Sequence, residues 1–454
     1  MKRDPQALEQ VLWDVLVIGG GIHGACVAWD AILRGLTLCL VEKADFGSGT
    51  SANTLKIIHG GLRYLQQADY RRMRESIGER RTLLRIAPHL VHPLPIVVPT
   101  YGHGRRGREL LHVALLLNDL ISLDRNAGLD RAQHIPRGRT VSRRECLRLA
   151  PGLDACGVTG GGVFHDAQVE NSERLVLAFL RSAAKAGAEL ANYAEVVGLR
   201  HDAGGPFRVS VADRLTGERF LIRARVVVNA SGPWVGRVLG LATPAATLGT
   251  RFAKAFNVVT RRLFREHAVA LPIRGLSGGR RSRGGNRLLF VVPWREHSLL
   301  GTWYEPHDGR PGDVSVTEAD VARLIAEVSR TCPALALGIE DVRLVHGGLL
   351  PVAATEGAAV DTQLLRHGRI VDHAPDGFPG LLSVVGVKLT TARLMAERTV
   401  DRVFERLHRT PAPPLSARVP LHGAQGEPLH EQRRRNDGVA AKNVGLQHGV
   451  RGDV

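Results

Sequence analysis

Apolar positions change their period in a set order along the chain. Trp13–Ile18 is a short, nearly unbroken apolar run ending in glycines, the pattern of a strand covered on both faces. Ile22–Leu33 repeats its apolar residues at helical spacing, and Leu36–Val41 is a second buried-strand run. Strand, glycine turn, helix and strand make a βαβ unit. Tyr70–Ile86 is highly charged yet aligns Met73, Ile77 and Leu84, which predicts a surface helix. Ser142 with Glu145 predicts a capped helix start, Ser172–Ala186 an amphipathic helix, and Thr317 with Asp320 a helix ending near Arg330. Strands are expected at Leu190–Leu199, Phe207–Val211, Phe220–Val228, Phe252–Val259, Arg287–Val292, Ser298–Thr302, Val342–His346, Ile370–Asp372 and Leu381–Val385. A long helix is expected at Leu389–Leu407, and Arg280–Asn286 reads as a mobile basic loop. From Pro411 onward the composition predicts a linker and a disordered tail through residue 454.

Composition narrows the class. The 454 residues suffice for two packed domains. A net charge of +17, dense at Arg280–Arg283 and Arg433–Arg435, should attract anionic lipid or a phosphorylated substrate. Aromatic residues are only 5%, too few for base stacking, and no recognition motif is present, so nucleic acid is not an expected partner. Cys26, Cys39, Cys146, Cys156 and Cys332 form neither a CxxC pair nor a zinc pattern, which suggests a reducing cytoplasm and no metal site. No secretory signal is visible in the polar opening residues. Leu110–Leu123 contains Asn118 and Asp119 and is too short to span a bilayer, so a soluble or peripheral protein is expected.

Candidate chemistry begins at Gly19-Gly20-Gly21-Ile22-His23-Gly24, which contains G-x-G-x-x-G between the first strand and the helix. Gly19 would permit the turn, Gly21 the approach of a pyrophosphate, and Gly24 close helix–strand packing. The free N–H groups at the helix start would stabilise phosphate charge. Glu42 ends the second strand, placed to accept hydrogen bonds from a ribose diol. This pattern predicts dinucleotide binding without separating NAD from FAD.

Past that unit the chain reads KIIHGGLRYL (Lys56–Leu65), ERRTLLRIAPHLV (Glu79–Val91), VVNASGPWV (Val227–Val235), FVVPW (Phe290–Trp294) and GVKLTTAR (Gly386–Arg393). In combination these strings resemble the FAD-dependent glycerol-3-phosphate dehydrogenases of the D-amino-acid-oxidase-like superfamily, over roughly residues 12 to 408. The resemblance implies an α/β fold, α+β overall: a Rossmann-like FAD-binding domain with an inserted antiparallel-sheet substrate domain. The expected division is residues 12–95, 150–235 and 340–410 for the FAD domain, 96–149 for a helical segment suited to a membrane surface, and 236–339 for the substrate domain. It implies that Gly19, Gly21, Ile22, Gly24, Glu42, Lys43, Thr50, Ser51, Lys56, Val196, Ser231, Gly232, Lys388, Leu389 and Thr390 line the FAD. A helix start and a lysine at 388–390 would stabilise the negative charge of a reduced flavin. The implied chemistry is hydride transfer from a secondary alcohol to flavin N5, with electrons passed to a quinone. His59 is the implied proton acceptor, Arg63 and Tyr64 the grip on a small anionic substrate, and Lys388 completes the catalytic set.

Three departures bear on the substrate. The family pattern SGVRPL reads Gly347-Gly348-Leu349-Leu350-Pro351 here, with Leu350 at the position of an arginine expected on the substrate phosphate. Losing such a charge-assisted bond forfeits about 1.5–3 kcal/mol. The family's G-T-T-D reads Gly301-Thr302-Trp303-Tyr304, and the C-terminal helical domain of the family is not found after Pro411. A flavin oxidase of another alcohol or an amine is the alternative within this fold. A non-enzymatic basic protein associated with nucleic acid is the alternative outside it. Arg105, Arg106 and Arg108 before the leucines of 110–123 fit two readings, a segment lying on the cytoplasmic face of an anionic membrane, as the resemblance implies, or a core helix, which would show the same leucines.

Overall fold

The computed structural model describes residues 3–104, 107–153, 157–201, 204–243, 248–273, 287–353 and 364–424. The basic loop expected at 280–286, Arg105, Arg106, Cys156 and residues 425–454 lie outside them. The other four cysteines are buried free thiols.

The chain opens with α1 (Pro5–Gln10), β1 (Leu12–Ile18), α2 (Ile22–Leu33), β2 (Leu38–Val41), β3 (Ile57–Ile58) and α3 (Tyr70–Ile86). Next come β4 (Val91–Tyr101), α4 (Arg108–Ile121), β5 (Arg139–Ser142), α5 (Arg143–Leu149), β6 (Val158–Val169) and α6 (Ser172–Lys185). β7 (Glu189–Ala191), β8 (Ala194–His201), β9 (Phe207–Asp213), β10 (Arg219–Asn229) and α7 (Val235–Leu239) follow. The remainder comprises β11 (Arg251–Arg261), β12 (Ala268–Ile273), β13 (Arg287–Trp294), β14 (His297–His307), α8 (Glu318–Thr331), β15 (Val342–Val352), β16 (Arg369–Asp372), β17 (Leu381–Val385) and α9 (Ala392–Arg406).

Two sheets organise these elements. The first runs β16-β17-β10-β1-β2-β7, and its five strands from β17 to β7 are parallel. β1 sits at its centre, buried on both faces as its apolar run requires. Small residues on α2, Ala25, Ala28 and Ala31, are wholly buried where it packs against α6 and α9. The second sheet runs β15-β11-β14-β13-β12-β4-β6-β3, with β5 on β6, and is antiparallel except for the β4–β12 pair. The α/β fold with its second, largely antiparallel sheet is the one expected.

The domain division shifts. β4, β6 and β15 all belong to the second sheet, although residues 91–95, 158–169 and 342–352 were assigned to the first domain. The segment 96–149 is no separate unit, because β4 and β5 both pair with β6. Leu190–Leu199 is two strands, β7 and β8, broken at Tyr193, whose φ of 53° turns the chain. The last helix starts at Ala392, three residues later than its apolar period suggests.

The tail expected after Pro411 is also corrected for residues 411–424. Arg34 and Arg85 donate to the carbonyls of Ala412 and Ala417 at 2.8 Å each, and Leu421 is buried. Ser416 donates to Asp30 at 2.6 Å and accepts from Arg393 at 3.1 Å. Buried polar groups with these partners anchor the segment to α2, α3 and α9. Arg393 also forks onto Glu79 through two bonds of 3.0 and 2.5 Å, clamping α9 to α3 in the interior. The motifs ERR and KLTTAR thus meet in space.

Candidate functional site

The glycine turn has the geometry its spacing predicts. Gly19 has φ +108°, and a Cβ there would lie 2.7 Å from the Ala230 carbonyl oxygen and 2.8 Å from Ser231 Cα. Gly24 is equally constrained, since a Cβ would overlap the Gly19 carbonyl oxygen. Gly21 differs: the only atom near its added Cβ is Ser51 Oγ, at 3.2 Å, so the space above it is open. Ile22 N–H, one of the free donors at the α2 start, donates to Ser51 Oγ at 3.0 Å. A phosphate oxygen could replace or join that hydroxyl without rebuilding the backbone. His23 reaches the other way, and its ring fills the space beside Gly386 in the loop before Lys388. Burial lowers its pKa to about 4, so it packs as a neutral ring.

Glu42 lies beside the turn, accepting from Gly20 N–H at 2.7 Å and Ala44 N–H at 2.9 Å. Each carboxylate oxygen keeps a lone pair for a sugar hydroxyl. The Lys43 ammonium stands 3.7 Å above the Trp234 ring, which links the β2 end to the loop after β10. That loop carries Ser231, half-buried, and Gly232, whose φ of +58° leaves open space on its Cβ side. Val196 lies in β8 opposite Val211 and packs partly into the core beside Leu199 and Phe207. A cavity of about 460 Å³ opens between the sheets, lined by Ser48, Gly49, Thr50, Trp234, Gly347 and Gly348.

Lys56 is where the implied site is corrected. Its ammonium is buried and bonds Ala52 O, Ser172 Oγ and Glu173 Oε2 at 2.9, 3.0 and 3.1 Å. All three of its donors are committed within the protein. The amine therefore fastens the 52–56 loop to α6, and the backbone is bonded as well, its N–H donating to Thr54 Oγ1 at 3.2 Å and its carbonyl accepting from Val169 N–H at 2.9 Å.

The segment after β3 carries the charged end of the site. Gly60 N–H donates to Asp166 at 2.6 Å, and the Arg80 guanidinium, paired with Asp166 at 2.5 Å, occupies the space a Gly60 side chain would need. His59 N–H donates to Thr390 Oγ1 at 3.3 Å, so the HGG and KLTT motifs adjoin, with Leu389 half-buried beside them. Burial first, then the charges of Lys388, Arg72 and Arg80, hold the His59 imidazole well below its ordinary pKa. Lys388 Nζ donates to the hydroxyls of Tyr64 and Ser76, both at 3.0 Å. Burial, with the Arg72 charge nearby, brings it down to about 7.

Tyr64 supports Lys388 by accepting its bond and retains its own O–H as a donor; it is buried, with the Arg72 guanidinium 4.1 Å from its ring centre. Arg63 is exposed and forms no bond among the described residues. Sequence reasoning missed Arg72, Ser76 and Arg366. Arg72 Nε is buried without a hydrogen-bond partner among the described residues, and Arg366 lines the same cleft as Arg72 and Lys388. Arg72 sits on a helix whose charges read as solvated, and only its packing on a buried tyrosine singles it out.

The departures have local explanations. Trp303 is buried in the core of the second sheet and bonds Glu305 at 3.0 Å, so it fills volume there. Leu350 of β15 pairs in register with Ala253 of β11 and brings no charge. The cations of the cleft come from α3 and from the segments before β16 and α9 instead.

The site fits an FAD. The turn offers helix N–H donors below open space, Glu42 adjoins it, and Lys388 waits at the far end. The family model described as "DAO: FAD dependent oxidoreductase" matches residues 14–402. A glycerol-3-phosphate dehydrogenase of Synechocystis is 35% identical over 439 residues, covering 94% of this chain and 76% of the relative. Glycerol-3-phosphate dehydrogenase 1 of Mycobacterium tuberculosis is 35% identical over 424 residues, covering 91% and 77%. The structure of a Bacillus halodurans glycerol-3-phosphate dehydrogenase complexed with FAD aligns at TM-score 0.71 and 26% identity, over 97% of this chain and 74% of that one. Turn, cleft and likeness agree: the chain belongs to the family of FAD-dependent oxidoreductases that includes the glycerol-3-phosphate dehydrogenases.

Proposed function

We propose that the protein oxidises a small secondary alcohol bearing an anionic group, glycerol 3-phosphate or a near relative, as an FAD-dependent dehydrogenase. The observation carrying this reading is the cleft of Arg72, Arg366 and Lys388, where no carboxylate is bonded to the lysine and Arg72 Nε has no partner among the described residues. Arg72 and Lys388 are half-buried and Arg366 is exposed, and the one carboxylate lining the cleft, Glu75, is already paired with Arg398, so an arriving anion meets a net positive site. FAD, when bound, supplies the hydride acceptor. Gly19, Gly21, Ile22, Gly24, Glu42, Lys43, Thr50, Ser51, Val196, Ser231, Gly232, Leu389 and Thr390 would hold it. Lys388, positioned by Tyr64 and Ser76, and the two arginines bind the substrate's anionic end, with Arg63 at the exposed entrance. His59, neutral among cations, is free to take the alcohol proton on an imidazole nitrogen.

Anaerobic bleaching of the bound flavin by glycerol 3-phosphate tests this. Bleaching by an uncharged alcohol or an amine, with none by glycerol 3-phosphate, would overturn the substrate assignment. The pH dependence follows from Lys388, which binds an anion as ammonium and loses that charge as pH rises through about 7. The half-saturating substrate concentration should therefore increase above that pH. Lys388→Met should raise it about tenfold or more at pH 6 and flatten its rise.

The electron acceptor we infer is a membrane quinone reached from an anionic lipid surface. Leu110, Val113, Leu116, Leu117, Leu120 and Leu123 are all exposed on and just beyond α4, while Leu115 packs inward against Gly138 and Gly162. Such a contiguous apolar face beside basic residues suits an interface. No helix of the described residues is long and apolar enough to cross a membrane. Wild-type protein should float with anionic vesicles in a salt-sensitive manner, and Leu116→Asp with Leu120→Asp should abolish flotation while leaving bleaching intact.

A further inference from the structure

Behind the loop after β10, five side chains join the cofactor groove to the protein surface. Asn229 is fully buried, and its amide orientation is fixed because Nδ2 donates to the Val235 carbonyl at 2.8 Å. Its Oδ1 therefore faces Ser231, whose hydroxyl donates to it at 2.6 Å. The second Nδ2 hydrogen reaches Ser383 Oγ in β17 at 3.5 Å, the longest link. Ser383, also fully buried, lies 2.9 Å from His373 Nε2, and His373 Nδ1 lies 2.8 Å from Asp376 Oδ2. At the end away from the groove Asp376 reaches solvent, its side chain 43% exposed.

The directions of these bonds follow from which atoms can donate. Ser231 gives its one hydrogen to Asn229, and Asn229 gives hydrogens to Val235 and Ser383. Ser383 then has its own hydroxyl hydrogen for His373 Nε2, leaving the Nδ1 hydrogen for the Asp376 carboxylate. Along the path Ser231–Asn229–Ser383–His373–Asp376 each hydrogen points away from the groove, and bonds aligned in this way polarise one another. Ser231 Oγ, half-buried against Gly19, is left with lone pairs only.

We infer that Ser231 is an obligate hydrogen-bond acceptor, oriented by Asn229, Ser383, His373 and Asp376, and that it recognises a sugar-type hydroxyl of FAD and not a phosphate oxygen. A phosphate oxygen would present lone pairs to lone pairs. His373 and Asp376 are positioning residues, acting on the cofactor through a chain without touching it. The inference rests on the placement of Ser231 beside FAD proposed above.

The test measures FAD and ADP affinity of the apoprotein by calorimetry, with thermal unfolding of the same apoproteins as the structural control. Ser231→Ala should weaken FAD about tenfold, the size of one lost hydrogen bond. Asp376→Ala should weaken it about threefold with the apoprotein's melting temperature unchanged, and Asp376→Asn, which keeps an acceptor, should restore affinity. In the Ser231→Ala background Asp376→Ala should have no further effect, because the chain then ends on nothing. A Ser231→Ala loss seen equally with ADP identifies an adenosine ribose hydroxyl, and a loss confined to FAD identifies the ribityl chain. If Ser231→Ala binds FAD as wild type does, the placement of Ser231 fails. If Ser231→Ala weakens binding while Asp376→Ala does not, or the two effects add, the placement stands and the chain is overturned.

Discussion

Gly21→Val should fold and remain colourless. The side chain at 21 would rise into the open space above the turn, where only Ser51 Oγ comes within 4 Å, so the apoprotein has to shift that one hydroxyl, which accepts from Ile22 N–H, and no backbone. A ligand phosphate, however, would meet the two valine methyls. Overpacking of that kind costs about 3 kcal/mol at its upper range, or about a 100-fold weaker Kd. Flavin absorbance after purification and circular dichroism of the apoprotein read the two halves of this expectation. Full flavin occupancy in the variant would move the pyrophosphate elsewhere. Gly24→Val makes the contrast: its Cβ would overlap the Gly19 carbonyl, so it should lose fold and cofactor together.

The second large effect belongs to the interior clamp. Arg393→Ala leaves Glu79 buried with its two-bond partner gone, and it removes the guanidinium that also holds Glu397 and Ser416. Breaking one side of a buried ion pair costs about 3–5 kcal/mol. Chemical denaturation should show that loss, and because α9 follows directly on Lys388 and Thr390, flavin should leave before the chain unfolds. Replacing both partners, Glu79→Leu with Arg393→Met, should recover much of the stability without recovering the Ser416 contact. A loss below about 1 kcal/mol for Arg393→Ala would show that water reaches the pair.

What could be read in the sequence was what the chain decides locally. The βαβ unit, the turn and Glu42 lie within one short stretch, and each glycine's task follows from backbone sterics alone. The second sheet was harder to place. β4 contains Pro93, Pro95 and Pro99, which blur a strand signal, and its partner β6 lies beyond two helices. Lys56 illustrates a different limit. Its place in a cofactor motif said nothing of Glu173 and Ser172, whose arrival over a hundred residues later commits its amine. The supporting role of Tyr64 was hidden for the same reason, since Lys388 comes to it from the far end of the chain. The 411–424 segment looked like a linker because its anchors are arginine bonds to its backbone carbonyls, which leave no mark on composition.

The order of strands in the first sheet also sets when the groove can exist. β1, made at once, has β2 on one side and β10 on the other, and β10 in turn needs β17. Until Ala230 and Ser231 have been synthesised, Gly19 has no wall to turn against, and until Lys388 has followed there is no charged end. Pairings so distant along the chain are slow to close. Flavin capture is thus an event of the finished polypeptide, and the nascent protein must keep its apolar first strand out of trouble without any help from the cofactor.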